Sequence, residues 1–412
     1  VPARQHAQLH PPAKWRTLAL RVPGTVLNTN EQPVAAAIDN RKDMEPVTHK
    51  APDSTALAKA PQQLLYLVYG DQDVYRREAK FSILTALSQL RKGESLCIRI
   101  FTDRPEDYAG WPVETLALNQ QTLTSWQGEN GYHHRRKACA IAAGLKLAER
   151  TLFVDTDTLF LENPNLILKR IQPQQYLMDR FEYDWSYVCK RPDYVKLGTC
   201  LQAHGISSDN SFKLYNSGLC GVTDSDTPLL EETIKLIDEW TQGSFDIHTI
   251  EQIALSFAIR DKPVQEAKQF IYHYFAEKRF FHAMQKHFFA RHGEQFRPQL
   301  LELCHEVPRS KPFPSAWRRL QIKWKLRNKR GNLRKVARDL LYGSAAPNHP
   351  YYAVCRHEWW ESASREILRW DESQKRKLLS LSQDHWPKQL PKPAKPEDEQ
   401  AIIAYLQTRL SE

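Results

Sequence analysis

Thr151-Leu-Phe-Val-Asp-Thr-Asp157 is the stretch from which the architecture of this chain is read. Thr151 to Val154 form a short, unbroken run of β-branched, aliphatic and aromatic residues, the pattern of a strand buried on both faces. Directly before it, Ala138, Ile141, Ala142 and Leu145 recur at i, i+3, i+4 and i+7, which predicts an amphipathic helix. The same alternation extends upstream. Leu64-Leu-Tyr-Leu-Val-Tyr69 reads as a strand closed by the turn signal Gly70-Asp71, and Tyr75, Ala79, Ile83, Ala86, Leu87 and Leu90 mark a helix after it. Leu96 to Phe101, closed by Thr102-Asp103, and Val113 to Leu118 are further strand candidates. Downstream, Gln175 to Met178 and Leu219 to Val222 read as strands, and helices are expected around Leu230 to Trp240 and Ile250 to Ala258. Strands alternating with helices predict an α/β domain with a mostly parallel sheet. Such sheets bind ligands beyond the carboxyl ends of their strands. Asp71, Asp103 and Asp155 each follow a strand and are expected on one rim.

The chain has 412 residues, 41% of them hydrophobic and 26% charged. That is enough apolar material for a sizeable core and excludes a chain disordered throughout. No run of about 18 apolar residues occurs, so no transmembrane helix is expected. Residues 1–60 are rich in Pro and Ala and lack a sustained period; they read as a flexible tail with no signal peptide. Seven scattered cysteines, with no C-x-x-C pair, indicate neither a disulfide framework nor a zinc ribbon and point to a reducing, cytoplasmic setting. The net charge of +10 favours anionic partners: nucleotide phosphates, nucleic acid or an anionic membrane surface.

Asp155 and Asp157, two residues apart at a strand end, can both reach one hard cation such as Mn²⁺ or Mg²⁺, which would in turn meet diphosphate oxygens. The pattern D-x-D occurs three times here and is weak by itself. Asp71-Gln-Asp73 leads into a helix, where Asp73 reads as an N-cap. Asp224-Ser-Asp226 precedes Pro228 and reads as a solvated turn. Only Asp155-Thr-Asp157 lies between two apolar stretches.

Around that motif the sequence resembles the GT-A glycosyltransferases, in particular the family-eight retaining enzymes that include glycogenin and bacterial galactosyltransferases. The resemblance spans roughly residues 64–281. It rests on Tyr132-His-His-Arg-Arg-Lys137 leading into Leu152-Phe-Val-Asp-Thr-Asp157, then Tyr215-Asn-Ser-Gly218, the acid–Gln pair Glu251-Gln252, and His273-Tyr-Phe-Ala-Glu-Lys278. It departs from the family at Phe275, where Gly is usual, at Arg279-Phe280, where Pro-Trp is usual, and at Glu251, where Asp is commoner. The resemblance implies a GT-A, Rossmann-like sheet over residues 61–285; beyond it the pattern changes, and the basic run with its helical spacing reads as a helical extension over 286–412. It implies that Asp155, Asp157 and His273 hold the metal and that Lys278 and Arg136 or Lys137 meet the diphosphate or sugar. Asn216, Glu251 and Gln252 would line the sugar and acceptor side, and Asp71 and Tyr75 would lie near the nucleotide base. The donor would be a nucleotide sugar, a UDP-hexose by resemblance, and the acceptor a hydroxyl of a glycan, lipid or protein.

The residues by themselves admit plainer readings. His273 sits in the aromatic stretch Phe270 to Phe275 and also reads as a hydrogen-bonded core histidine. Glu251 and Gln252 lie off the apolar stripe of their helix and also read as exposed residues. Arg135, Arg136 and Lys137 also read as a solvated face. His282, His287 and His292 recur five apart, which spreads them around a helix and excludes a metal stripe. Trp317 to Arg338 carries ten Lys or Arg and no acid, with Trp317, Leu320 and Trp324 on one helical face. That suits an interfacial helix on anionic lipid. Nucleic acid is set aside because no nucleic-acid-binding motif accompanies the segment. Two rival readings stay open: a metal-dependent phosphoryl-transfer enzyme such as a nuclease, and an inactive GT-A scaffold at a membrane surface.

Overall fold

The computed structural model of the chain describes residues 58–203, 205, 212–242, 247–379 and 390–411. The tail expected over residues 1–60 therefore lies outside the described residues except for its last three.

The apolar run at Leu64 forms β1 (Ala60–Val68), and its neighbours in sequence form β2 (Ile98–Thr102), β3 (Glu114–Ala117) and β4 (Ala148–Val154). A two-stranded ladder joins β5 (Thr158–Phe160) to β11 (Ile271–His273), and another joins β7 (Phe181–Asp184) to β8 (Lys213–Tyr215). The main sheet has seven strands in the order β10-β6-β9-β4-β1-β2-β3, with β6 at Tyr176–Met178, β9 at Leu219–Thr223 and β10 at Val264–Glu266. Strands β4, β1, β2 and β3 run parallel, as do β10 and β6, while β9 runs antiparallel to both β4 and β6. The sheet is thus mostly parallel, and the fold is α/β. Because β1, β2 and β4 are parallel, the residues that follow them, Asp71, Asp103 and Asp155, belong to one edge of the sheet, as expected from the sequence. There Asp103 Oδ2 accepts the Gly70 N–H at 3.0 Å.

The unbroken apolar runs are explained by cores on both faces of the sheet. Leu64, Tyr66, Leu152 and Val154 belong to one apolar cluster, whereas Leu65 and Phe153, pointing the other way, belong to a second. Helices α1 (Asp73–Ser88), α2 (Gln120–Gln127) and α3 (Arg135–Leu145) connect the first strands. Helix α1 begins differently from expectation. Gln72, not Asp73, occupies its cap position, and Asp73 instead pairs with Arg76 one turn on. Helices α4 (Thr227–Trp240) and α5 (Ile250–Ala258) bury Trp240, Ile237 and Ile253 with Trp185 in a third cluster. Asp226, expected to be solvated, is buried. It accepts the Tyr176 hydroxyl at 2.9 Å and the Thr223 N–H at 2.8 Å, because the turn between β9 and α4 closes as a capping box. Asp224 alone meets the expectation of exposure and pairs with Lys59.

Beyond residue 285 the chain stays helical. Helix α6 (Lys278–His292) packs beside α1, and α7 (Ala316–Lys325), α8 (Gly331–Ser344), α9 (Arg356–Leu368) and α10 (Pro396–Ser411) follow. Val336, Leu340, Trp359, Trp360, Ile402 and Leu406 share one apolar cluster with Leu64 and Leu152 of the sheet. The six cysteines whose side chains are described are all free.

Candidate metal centre

Strand β4 ends at Val154, so the next residues leave the sheet where its carboxyl edge opens. Asp155 is held there by its backbone, whose N–H donates to Gly218 O at 2.8 Å as a continuation of the β4–β9 ladder. Two residues later the chain re-enters a ladder at β5, where Thr158 lies opposite His273 of β11. The Tyr274 N–H donates to Asp157 O at 3.0 Å, which locks the two segments side by side. These two pairings bring together residues more than a hundred positions apart. One ligand atom each from Asp155, Asp157 and His273 lie within 4.8 Å of one another.

The histidine is aimed. Its Nδ1 lies 2.8 Å from Asp179 Oδ2, and its Nε2 lies 3.2 Å from Asp157 Oδ2. Asp179 follows β6 and is fully buried. A carboxylate on Nδ1 fixes the ring and leaves Nε2 directed at the cluster, the arrangement by which proteins orient metal-binding imidazoles. Gly218 makes room for the ring: a Cβ there would stand 2.1 Å from His273 Cε1. The glycine of Asn216-Ser-Gly218 is therefore required by a close approach. Asp157 Oδ2 also lies 3.0 Å from Lys278 Nζ, yet neither of its cationic neighbours meets hydrogen-bond geometry, so this buried oxygen retains a lone pair facing the cluster. Two carboxylates and one imidazole suit a divalent cation of the Mn²⁺ or Mg²⁺ class.

Nearby positive groups balance the acids. Burial alone would raise the Asp157 carboxyl, but His273 and Lys278 outweigh it and hold it well below the carboxylate range. Asp155 goes the other way: burial raises it, and its ion pair with Lys137 at 2.9 Å only partly offsets that. Burial pulls His273 down, yet Asp157 and Asp179 push it up to about 9. Burial opposes the charge on Lys137 and Lys278, and the surrounding carboxylates more than compensate.

A second network continues from the first. Lys137 Nζ, from the first turn of α3, also reaches Ser217 O at 3.3 Å, and Ser217 Oγ donates to Glu251 Oε1 at 3.1 Å. Tyr132 donates to Glu251 Oε2 at 2.8 Å. Asn216 Nδ2 and Gln252 Nε2 each donate to one oxygen of Glu182, at 2.8 and 2.9 Å. Glu251 and Gln252 are both buried, against the reading that left them exposed, because α5 turns its polar start toward the edge of the sheet. Asn216 Oδ1 accepts the Gly218 N–H at 2.9 Å, so the tripeptide is at once a turn and part of the site.

Among the described residues, the other predicted ones make no hydrogen bond or ion pair with the cluster. Arg136 is buried, donates to Leu123 O and Gln127 Oε1, and stands 4.8 Å from the Tyr69 ring. Arg135 pairs with Asp238 at 2.5 Å. Asp71 and Tyr75 are exposed at the end of β1 and the start of α1. His282 meets buried Glu78 at 2.5 Å, and Glu78 in turn accepts from Thr156, between the two motif acids. Asp179, Glu182 and Glu78 escaped sequence reasoning. Asp179 carried a usable signal, since it follows a buried strand as Asp155 does. Among the described residues no third carboxylate joins Asp155, Asp157 and His273; Asp179 stands behind His273.

No family model matches this sequence, and no curated protein does. Among solved structures the chain is similar to the bifunctional glycosyltransferase WbbM, with 11% identity and a TM-score of 0.33 over 54% of this chain and 40% of that one. It is similar to mouse xyloside xylosyltransferase 1, with 12% identity and a TM-score of 0.34 over 50% of this chain and 84% of that one. It is also similar to the galactosyltransferase LgtC in complex with donor and acceptor sugar analogs, with 10% identity and a TM-score of 0.33 over 50% of this chain and 73% of that one. This chain thus spans less than half the length of WbbM, and at this level of likeness no activity passes from those proteins to it.

Proposed function

We propose that this protein is a GT-A-type glycosyltransferase that moves a sugar, a hexose on UDP, to a hydroxyl of a glycan, lipid or protein acceptor in the cytoplasm. The observation that carries the reading is the convergence of Asp155, Asp157 and His273 at the carboxyl end of β4, with His273 pinned by Asp179. Mn²⁺ or Mg²⁺ on these ligands would neutralise the charge that builds on a departing nucleoside diphosphate. Lys278 is the first residue of α6, and its side chain keeps 39% of its surface accessible. We assign it a charge-assisted hydrogen bond to a diphosphate oxygen, an anion that the amino end of this 15-residue helix also favours. Lys137 holds Asp155 and Ser217 in register and lends its charge to the same place. Asn216, Glu251 and Gln252, fixed through Glu182 and Tyr132, are assigned to the sugar and acceptor side. Asp71 and Tyr75, exposed at the end of β1 and the start of α1, are assigned to the base of the nucleotide, and of the two basic residues considered for the phosphate or sugar the role falls to Lys137, because Arg136 already donates to Leu123 O and Gln127 Oε1. The catalytic contribution is electrostatic: donors and charges are fixed before the leaving group forms.

Isothermal calorimetry with UDP tests this, with and without Mn²⁺, on the wild type and on Asp155→Ala/Asp157→Ala. The expected result is metal-dependent binding that the double variant loses, followed by metal-dependent hydrolysis of a UDP-sugar. Absence of binding to UDP and to the other nucleoside diphosphates, in folded protein with metal present, would sink the reading.

A further inference from the structure

The basic segment beyond the sheet is used by none of this chemistry, and its geometry is specific. Helix α7 has two apolar faces. Ile322 and Leu326, just past its end, are buried in the main core, which anchors the helix to the molecule. On the opposite side Trp317, Leu320 and Trp324 are 66, 56 and 65% exposed. At 100° per residue they fall within about 60° of one another, as a single outward stripe. Arg318 and Lys325 flank the stripe on one side, and Arg319 and Lys323 flank it on the other. From Arg318 to Arg334 there are eight basic residues, and among the described residues none of them pairs with a carboxylate. Between α7 and α8 a groove of about 410 Å³ is lined by Arg319, Lys323, Arg334 and Arg338, with Leu320 and Tyr342 beside them.

Exposed tryptophans in water are unfavourable, even with Arg327 over the Trp324 ring at 4.0 Å, and eight cations without a carboxylate partner repel one another. A neutral protein surface would relieve only the first. A duplex would relieve only the second, and a single strand, though its bases stack on indoles, would leave Leu320 without an apolar partner. An anionic bilayer relieves both: indoles and a leucine enter the interface, lysines and arginines extend to the headgroups on either side, and the groove accepts a lipid phosphate. We infer that α7 and the basic groove behind it form a docking surface for an anionic membrane. Among the described residues no helix is long and apolar enough to cross a membrane.

Flotation of the full chain with vesicles of phosphatidylcholine alone, or with 30% phosphatidylglycerol, tests the inference. Binding is expected at least tenfold stronger on the anionic vesicles and is expected to weaken as salt rises. Trp317→Ala/Leu320→Ala/Trp324→Ala should lower binding at least tenfold without changing the circular dichroism spectrum, since all three side chains are already in solvent. Arg319→Glu/Lys323→Glu should abolish the preference for the anionic vesicles. Equal binding to neutral vesicles, or wild-type binding by both variants, would overturn the proposal. So would binding of a duplex or single-stranded oligonucleotide with no binding to vesicles, or self-association that the triple variant abolishes while vesicles are ignored.

Discussion

At the scale of single residues, the centre depends on one ring held between a carboxylate and a glycine. Asp179→Asn keeps the shape of the side chain but can offer an N–H to His273 Nδ1, which favours the wrong tautomer. Mn²⁺ affinity, measured by calorimetry without nucleotide, should fall about 10–100-fold while the fold persists. Gly218→Ala acts from the other side: with His273 Cε1 only 2.1 Å from the added Cβ, the ring or the strand must move. A loss of about 1–3 kcal/mol in denaturant unfolding is expected, together with loss of the stabilisation that Mn²⁺ gives the wild type. The proton on His273 supplies a third check. Its pKa rises on folding from 6.5 to about 9, so the imidazolium stabilises the metal-free protein fully below pH 6.5. That stabilisation is lost as pH rises toward about 9. The cation needs the neutral ring, so its affinity should move oppositely and strengthen between pH 6 and 8 with release of a proton. His273→Gln should flatten both trends, and a wild-type affinity independent of pH would show that His273 is not a ligand.

At the scale of elements, the strands of the main sheet that are apolar on both faces were legible because burial on both sides leaves an unbroken run, as at Leu64 to Tyr69. Helices α1, α3, α4 and α5 were legible from their spacing, whereas α2 and α9 were not read. The short ladders were not: β5, β7, β8 and β11 have three or four residues each, too few to show a period. Those ladders nevertheless assemble the centre, so Asp155 and Asp157 could be read from their strand end, whereas His273 needed the resemblance and Asp179 and Glu182 went unread. Their partners are distant in sequence, and no local pattern records a contact made through tertiary pairing. The capping of α1 and the burial of Asp226 were misread for a related reason, since a polar residue at an element boundary looks exposed until its partner is known, and for Glu251 the sequence left exposure and a place in the site both open. The crossing of α8 and α9 gives a test confined to elements. A Cβ on Gly343 would come 2.5 Å from Trp360 Nε1, which donates to Leu340 O at 3.2 Å. Gly343→Ala should therefore lower stability by about 1–3 kcal/mol, read as a lower urea midpoint with an unchanged slope. Neither Gly343 nor Trp360 bonds to Asp155, Asp157 or His273, so the Mn²⁺ affinity of the folded protein should not change; a parallel loss of affinity would mean that strain at the crossing is passed along α9 to Phe280.

At the scale of the whole molecule, the question is whether the chain beyond residue 285 is an appendage or part of what holds the sheet. The packing favours the second. Cys355 Sγ lies 3.4 Å from Phe280 O, the Phe280 and Trp359 rings are 4.8 Å apart, and Lys311 Nζ stands about 4.5 Å from both rings. Phe280 lies two residues after Lys278 on α6, the helix that carries this cation to Asp157. The C-terminal helices thus bear on the element that completes the candidate centre. Trp360 is fully buried in the cluster that also contains Leu64 and Leu152. Trp360→Ala would leave a cavity in that shared core and should cost about 3–5 kcal/mol. Scanning calorimetry of the wild type should show one transition, displaced to lower temperature as a unit in Trp360→Ala, and excess Mn²⁺ should raise the midpoint of both proteins. A variant that instead melts in two steps, the later one at the wild-type temperature and alone responsive to Mn²⁺, would mean that the sheet and its centre stand without the helices, and the coupling through Phe280 would be wrong.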